Sequence, residues 1–388
     1  VPDKSYSKIG GFLDPYKPKY RAWRIPPKVA SNLDTTQILA LSVAQEALEN
    51  SGYADKEFDR TRCGVVLGNS MGGDLRDYSA SRLALAGFLR DLDDSEGFAK
   101  LSMQQRREIL QEVETRVLQR HPTICEDTMA GELSNVVAGR VAAAYKLSGP
   151  NFTVDAACAS SLAAVTAAVR SLRSHECDMI LTGGVDRNMS ANSYVKFCKT
   201  AALSPDRSTP FDDGANGFVM GEGAGILVLK RLEDAWRDGD NVRGIIRGCG
   251  GSSDGGGRGI TAPNPPGQVR ALFRAYEDAE VSPSSIGFME AHGTSTVAGD
   301  DAEVRTIKLL LDDAPPQDGP LPVSSSKSMF GHLKSAAGAA GLVKATLSLE
   351  NKEIYPMMGY EKPNSAIKEI SPPIRIPTET EEGTHRCH

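Results

Sequence analysis

Asn151-Phe-Thr-Val-Asp-Ala-Ala-Cys158-Ala-Ser-Ser-Leu-Ala-Ala-Val-Thr-Ala-Ala-Val-Arg170 is the stretch that decides the fold, because an apolar strand passes here into a helix of small residues. Phe152 to Val154 favour a strand, and the alanine-rich stretch from Ala159 to Val169 favours a helix. A thiol in the first turn of that helix meets unpaired backbone N–H groups and the positive end of the helix dipole. Both stabilise the thiolate, which is the nucleophilic form. Cys158 is therefore a candidate nucleophile, although free cysteine is also among the most buried residue types.

The composition is that of an acidic globular protein. A chain of 388 residues is long enough for two domains or two fused halves, and 40% hydrophobic with 24% charged residues is ordinary for a soluble protein. The formal net charge of −6 argues against non-specific nucleic-acid binding. The sequence has no long apolar run, no secretory signal and no C-x-x-C pair among its seven cysteines. We therefore expect a cytoplasmic protein without nucleic-acid or membrane partners.

Helical and strand patterns alternate through the first part of the chain, residues 1–240. Thr35 to Ser51 has helical periodicity, whereas Cys63 to Gly68 and Met179 to Gly184 are typical of buried strands. A highly charged stretch at about 88–125, with a predicted helix from Met103 to Arg120, indicates a surface insertion.

The same alternation continues in residues 241–388. The predicted strands are Val242 to Arg247, Ile286 to Glu290 and Leu321 to Ser325, and the predicted helices are Gly267 to Glu280, Asp301 to Leu311 and Ser335 to Glu350. Strands that alternate with helices predict an α/β fold, with a parallel or mixed sheet covered on both faces.

Two histidines directly follow predicted strands, as Cys158 does. His292 lies in Glu290-Ala-His-Gly-Thr-Ser-Thr296, and His332 lies in Ser326-Lys-Ser-Met-Phe-Gly-His-Leu333. Sites in open α/β sheets form at the carboxyl ends of strands, so these three side chains are expected to converge. They could in principle bind a metal ion, but zinc sites usually show tighter local spacing and more ligands, and we predict no metal.

Several blocks of the chain, in order, resemble the β-ketoacyl synthases, the condensing enzymes of fatty-acid and polyketide assembly. The blocks are Val154-Asp-Ala-Ala-Cys-Ala-Ser-Ser161, the His292 and His332 segments, Leu133-Ser-Asn-Val-Val-Ala-Gly-Arg140 and Pro210-Phe-Asp-Asp-Gly-Ala-Asn-Gly-Phe-Val-Met-Gly-Glu-Gly-Ala-Gly225. The charged insertion and Ala339-Ala-Gly341 look closer to the ketosynthase domain of large iterative type I synthases, of which polyketide and polyunsaturated fatty acid synthases are examples.

The resemblance implies a thiolase-like fold of two pseudo-symmetric halves, with sheets layered between helices, and a homodimer. It implies that Cys158 takes an acyl group from a phosphopantetheine arm, and that His292 and His332 promote decarboxylative condensation with a malonyl-type extender. The same resemblance assigns Thr294 and Thr296 to the phosphopantetheine amides.

A charged network of Lys327, Glu303 and Asp300 would support the histidines. The partners implied are acyl carrier protein and other domains of a multienzyme synthase. No redox or nucleotide cofactor is implied, because loss of carbon dioxide drives the reaction.

The chain also departs from the family pattern at both ends. Such domains open with an apolar strand and close with a Phe-Gly-Gly-type loop that supplies a second oxyanion N–H, and we find neither in the sequence. The second half is therefore predicted to lack its last strands, which puts the activity of this chain in question. The main alternative is a non-elongating ketosynthase-like domain that holds or transfers acyl chains. A thiolase would need a second cysteine in a Cys-x-Gly context, which Cys387 followed by His388 does not provide. A chalcone-synthase-like enzyme would need a Cys-His-Asn set.

Overall fold

The N-terminal half is built on one four-stranded sheet. The computed structural model describes residues 3–256, 259 and 261–383, and Cys387 and His388 lie outside them. The strands of this half are β1 Cys63–Gly68, β2 Asn151–Val154, β3 Met179–Asp186 and β4 Gly223–Lys230. Its helices are α1 Pro27–Ala30, α2 Thr35–Asn50, α3 Leu75–Asp93, α4 Met103–Arg120, α5 Thr128–Glu132, α6 Asn135–Tyr145, α7 Ser160–Arg173, α8 Ala191–Lys199 and α9 Leu232–Arg237.

The strand order is β2-β1-β3-β4, with β4 antiparallel to β3 and the other pairs parallel. Every residue of β1 and β3 is buried, which explains why both strands are continuous apolar runs. Val65 faces a core formed with α2 and α6, whereas Val66 faces α7 on the other side of the sheet. Helices therefore cover both faces, as the sequence predicts.

The C-terminal half has a smaller parallel sheet. Its strands are β5 Met289–Glu290, β6 Leu321–Ser324, β7 Glu353–Ile354, β8 Ile374–Arg375 and β9 Glu381–Glu382, and its helices are α10 Pro265–Ala279, α11 Val297–Leu311, α12 Lys327–Phe330, α13 Ala337–Asn351 and α14 Ser365–Ile370. The order β5-β6-β8 is parallel, and β7 pairs separately with β9 in antiparallel fashion. Within the described ranges, no helix is both long and apolar enough to span a membrane.

Most predicted elements form within a few residues of their expected bounds. The helix from Met103 to Arg120 is confirmed as α4, and none of its residues is buried, which agrees with a surface location. The strand predicted from Val242 to Arg247 is wrong, because this stretch is irregular and Val242 and Ile245 are exposed. It pairs with no strand among the described residues, and β-propensity has little effect without a neighbour to pack against. The strand predicted from Ile286 forms only at Met289–Glu290.

One phenylalanine of the N-terminal half packs in the core of the C-terminal half. Phe211 is fully buried in a cluster with Leu310 and Val323, and its backbone N–H donates to the Asp300 carboxylate at 2.7 Å. Its side chain therefore links the two halves.

The variant Phe211→Ala is expected to lower the free energy of unfolding by about 3–5 kcal/mol, because truncating a fully buried aromatic ring leaves a cavity. Chemical denaturation measures the change. Phe273→Ala is the matched control, since Phe273 is 46% exposed. Equal unfolding midpoints for the two variants would contradict this account of the contact between the halves.

Candidate active site

Cys158 lies in a single 3₁₀ turn, Ala157–Ala159, between the end of β2 and the start of α7. The turn is stabilised by the Ser160 hydroxyl, which donates to the Ala157 carbonyl at 2.6 Å and accepts from the Ala156 N–H at 2.9 Å. Ala157 has a φ of 49°, a left-handed conformation that non-glycine residues adopt mainly where their surroundings enforce it. The strand-to-helix junction predicted around Cys158 is thus a tight, well-held elbow.

A glycine allows this elbow to sit directly over the sheet. A Cβ atom on Gly68, the last residue of β1, would lie 2.4 Å from the Ser160 carbonyl carbon. No side chain fits in that gap, so the absence of a Cβ lets the start of α7 approach the strand end.

The structure brings together Cys158, His292 and His332, the three residues that the sequence places after three strands. The Cys158 sulfur and one ring nitrogen of each histidine lie within 4.8 Å of one another. The two imidazole rings meet edge to face, with centroids 5.4 Å apart and an interplanar angle of 86°. Cys158 belongs to the N-terminal half and the histidines to the C-terminal half, so the site forms where the halves meet.

His332 is held as a neutral N–H donor. Its Nδ1 accepts the backbone N–H of Lys334 at 2.9 Å, which requires a lone pair on Nδ1 and leaves the proton on Nε2. Burial lowers the pKa of His332 well below its usual value, and the positive charge of Lys327 lowers it further. The ring also packs edge to face against Phe218, at 4.9 Å between centroids. His332 therefore presents an Nε2–H at neutral pH.

His292 is neutral for a similar reason. The residue keeps an exposed face, yet protein atoms surround it densely, and this burial, followed by the charge of Lys327, lowers its pKa. Its backbone N–H donates to Glu303 at 2.6 Å, and the next N–H, of Gly293, donates to the same carboxylate at 2.7 Å. Glu303 thus fixes the backbone that carries His292.

The predicted charged network surrounds the histidines from α11 and α12. Lys327 is only 4% exposed, and burial lowers its pKa while Glu303 and other carboxylates oppose that shift. Burial raises the pKa of Asp300 to about 7, and this carboxylate accepts the backbone N–H groups of Phe211 and Ser295. These contacts are to backbone and to neighbouring charges, which suits a supporting role.

Thr294 and Thr296 lie beside His292 with their hydroxyl oxygens 2.9 Å apart. Thr294 is buried and Thr296 is half-buried. Each hydroxyl can donate one hydrogen bond and accept others, so the pair retains capacity for an amide group. Their assignment to the phosphopantetheine arm stays a prediction.

Four charged residues near the site were missed by the sequence analysis. Lys344 pairs with Glu290 at 2.8 Å, and Lys334 pairs with Asp186 at 3.0 Å. Glu290 begins the His292 motif and Lys334 directly follows the His332 motif, so both could have been singled out from their positions. Asp186 and Lys344 lie far from their partners in sequence, and no local pattern indicates such a pair.

The cluster of one thiol and two imidazoles is compact enough to suggest a metal site. A metal ion would need the Nε2 lone pair of His332, whereas the Lys334 N–H bond to Nδ1 leaves a proton on Nε2. The positive charge of Lys327 also acts on this site, because it lowers the pKa of both the Cys158 thiol and the His332 imidazole. The arrangement therefore suits donation of hydrogen bonds to an oxygen atom better than coordination of a cation.

The expectation of a stabilised thiolate at Cys158 is wrong for the resting site. Burial raises the pKa of the Cys158 thiol above its usual value, and the charge of Lys327 offsets only part of that rise. Desolvation of the anion is therefore the dominant effect on the pKa of this thiol.

A raised pKa means that the thiol stays protonated at neutral pH and that thiolate accumulates only in alkaline solution. Alkylation of Cys158 by iodoacetamide should therefore still accelerate as the pH rises through about 9, the usual pKa of a thiol. Mass spectrometry of the modified peptide measures the rate, and the variant Cys158→Ser gives the background from other cysteines. A rate that levels off below about pH 8 would show that the thiolate is stabilised after all.

Family models of known proteins match both the N-terminal and the C-terminal part of the chain. Residues 1–235 match the family model of the β-ketoacyl synthase N-terminal domain, and residues 243–361 match that of the C-terminal domain. A polyunsaturated fatty acid synthase polypeptide of Thraustochytrium sp. is 35% identical over 93% of this chain, and the highly reducing polyketide synthase cla2 of Cladosporium cladosporioides is 36% identical over 96%. The chain spans only 13% and 14% of the length of these two relatives.

Solved structures give the same result for the fold. An oxazolomycin ketosynthase domain from Streptomyces albus superposes with a TM-score of 0.80 at 27% identity, covering 99% of this chain and 60% of that one. The ketosynthase from module 6 of the bacillaene synthase of Bacillus subtilis gives a TM-score of 0.75 at 31% identity, covering 95% and 56%. The predicted thiolase-like α/β fold is confirmed.

Proposed function

The chain belongs to the β-ketoacyl synthase family, and from this premise we propose that it is the condensing unit of a polyketide or fatty-acid synthase. The reaction joins an acyl group, held on Cys158, to a malonyl-type extender carried by acyl carrier protein. The observation that carries the proposal is the approach of Cys158 to two neutral imidazoles within 4.8 Å, one of them fixed as an Nε2–H donor.

The first step is exchange of one thioester for another. The sulfur of Cys158 attacks the acyl carbonyl, the bond to the phosphopantetheine sulfur breaks, and the thiol proton of Cys158 ends on the departing phosphopantetheine thiol. Because the resting thiol is protonated, this proton leaves as the carbon–sulfur bond forms. We assign stabilisation of the oxyanion to the backbone N–H of Cys158, which lies in the turn before α7.

The second step needs an oxyanion site of its own. Loss of carbon dioxide from the extender breaks a carbon–carbon bond and leaves an enolate, with negative charge on the thioester oxygen. The Nε2–H of His332 and an N–H of His292 donate to that oxygen as the charge develops. The enolate carbon then attacks the acyl-Cys158 carbonyl, and the Cys158 sulfur leaves as a thiolate that takes up a proton from solvent. Ketosynthase domains use no cofactor of their own, and the substrates travel on phosphopantetheine.

The supporting residues have distinct parts in this scheme. Glu303 orients the backbone at His292, and Asp300 orients the loop around Ser295. Burial keeps both imidazoles neutral by lowering their pKa, and the charge of Lys327 adds to that effect. We assign Thr294 and Thr296 to the amides of the phosphopantetheine arm.

We also propose that the protein works as a cytoplasmic homodimer within a larger synthase. The strand β2 lies at the edge of its sheet, pairs only with β1 among the described strands, and leaves Phe152 40% exposed. An open edge with an exposed aromatic ring suits pairing with a second copy. We propose that residues 1–240 and 241–388 form the two halves of one catalytic unit, since the two family models match residues 1–235 and 243–361.

Incubation with an acyl-loaded and a malonyl-loaded carrier protein tests the proposed function. Release of carbon dioxide together with a β-ketoacyl product would support a condensing enzyme. Stable acylation of the chain with no condensed product would instead indicate a domain that holds or transfers acyl groups.

A further inference from the structure

A buried ion pair joins the two halves next to His332. The Lys334 ammonium lies 3.0 Å from Asp186, and the two side chains are 9% and 2% exposed. Asp186 is the last residue of β3 in the N-terminal half, whereas Lys334 follows His332 by two positions in the C-terminal half. The ammonium also donates to the carbonyl of Gly221 at 2.7 Å. Lys334 is therefore anchored to the half that carries Cys158.

The backbone of Lys334 is in an unfavourable conformation. Its φ is 50°, in the left-handed region, and a non-glycine residue stays there only where its surroundings hold it. This conformation directs the Lys334 N–H at Nδ1 of His332. The side chain of Lys334 thus binds the N-terminal half, whereas its backbone N–H binds the imidazole of His332.

Other contacts also join the N-terminal half to residues 332–335, the short loop that carries His332 and Lys334. The Ser335 hydroxyl shares its single proton between the Asp186 carboxylate at 2.7 Å and the Val185 carbonyl at 3.0 Å. The Gly221 N–H donates to the His332 carbonyl at 3.0 Å. A Cβ atom on Gly184 would lie 2.8 Å from the Ser335 carbonyl oxygen, so this glycine allows the close approach of β3 and the loop.

We propose that Lys334 is a positioning residue for His332, and that its ion pair with Asp186 fixes the imidazole in the tautomer that has its proton on Nε2. Removing the ammonium leaves a buried carboxylate without its cation, and the loop must shift to let water reach it. The strained peptide at Lys334 then relaxes, the N–H bond to Nδ1 is lost, and the imidazole can carry its proton on either nitrogen. This role rests on the proposed function, in which the Nε2–H stabilises the enolate.

A purely structural ion pair would behave differently. It would change the stability of the contact between halves and affect every step of the reaction alike. A positioning residue instead affects the tautomer of His332 and the condensation step, while transfer of the acyl group to Cys158 continues. The two roles therefore differ in both a spectroscopic and a kinetic measurement.

The test compares Lys334→Met with Lys334→Arg, using Lys308→Met as the matched control. Lys308 pairs with Asp312 on the surface of α11, away from this loop. In Lys334→Met we expect the ¹⁵N resonances of His332 to lose the Nε2–H pattern, and condensation to fall at least about tenfold, with acyl transfer to Cys158 within about twofold of wild type. Lys334→Arg, which keeps the charge, should retain most of both properties.

The double variant Asp186→Leu/Lys334→Met removes both charges of the pair and so leaves no unpaired buried carboxylate. It serves as the test if Lys334→Met fails to fold. Here too we expect loss of the Nε2–H pattern. A folded variant lacking Lys334 that keeps the wild-type tautomer pattern and condenses within about twofold of wild type would overturn the proposal. Because the tautomer is read by NMR without substrate, a wild-type chain that does not condense would contradict the proposed function and still leave the role of Lys334 testable.

Discussion

Replacing Cys158 by alanine is expected to abolish condensation, by at least about a thousandfold, because the growing chain loses the sulfur that holds it. The Cys158 sulfur lies within 4.8 Å of one ring nitrogen of each imidazole. Decarboxylation of the malonyl extender should persist in Cys158→Ala, since the N–H groups that stabilise the enolate belong to His292 and His332. The Ser160 hydroxyl stabilises the turn around Cys158, and Gly68 leaves room for it against the sheet. Alanine at position 158 should therefore leave the fold intact.

The measurement follows both products of the reaction: carbon dioxide release reports decarboxylation, and mass spectrometry of the carrier protein reports the β-ketoacyl product. Cys125→Ala is the control, because Cys125 is a half-buried thiol in a different part of the fold. Condensation by Cys158→Ala above about one-hundredth of the wild-type rate would rule out Cys158 as the covalent nucleophile.

Replacing His332 by alanine is expected to slow condensation while leaving acyl transfer to Cys158 largely unchanged. Removing one preorganised donor to a developing oxyanion commonly costs on the order of a hundred- to a thousandfold in turnover. The variant His332→Ala should therefore lose condensation by that factor, while acyl transfer to Cys158 stays within about threefold of wild type, because no enolate forms in that step.

Rapid-quench measurement of acyl-enzyme formation, alongside steady-state condensation, gives the two rates. His175→Ala is the matched control, since His175 is exposed and lies outside the site. If His332→Ala condensed at the wild-type rate, the assigned donor role would be wrong. If it lost acyl transfer and condensation equally, His332 would have to act on the nucleophile instead.

Most of the fold, and the three central residues of the site, could be predicted from local sequence. Helix α4 and strand β1 have the predicted bounds because periodicity, capping residues and burial act within a few residues of each other. The approach of His292 to His332 could be anticipated, because the two residues follow β5 and β6, which are parallel neighbours in one sheet. Cys158 follows β2 of the other sheet, so its position beside the histidines depends on how the two halves pack.

Long-range effects account for what the sequence did not predict. The stretch Val242 to Arg247 has strand-forming residues but no partner strand in the described chain, and partners are not visible in a local pattern. The pair Lys334–Asp186 joins residues that lie far apart in sequence, so no motif predicts it. The raised pKa of Cys158 depends on how completely the folded protein excludes water, which composition and spacing do not specify.

Intact-protein mass spectrometry shows whether Cys158 takes the acyl group as a thioester, the step on which the proposed mechanism depends. The wild-type chain and Cys158→Ala are each incubated with an acyl-loaded carrier protein, and their masses are compared. Our account predicts a mass gain equal to one acyl group in the wild type and none in the variant. A folded wild-type chain that gains no mass, or a variant that gains as much as the wild type, would contradict it.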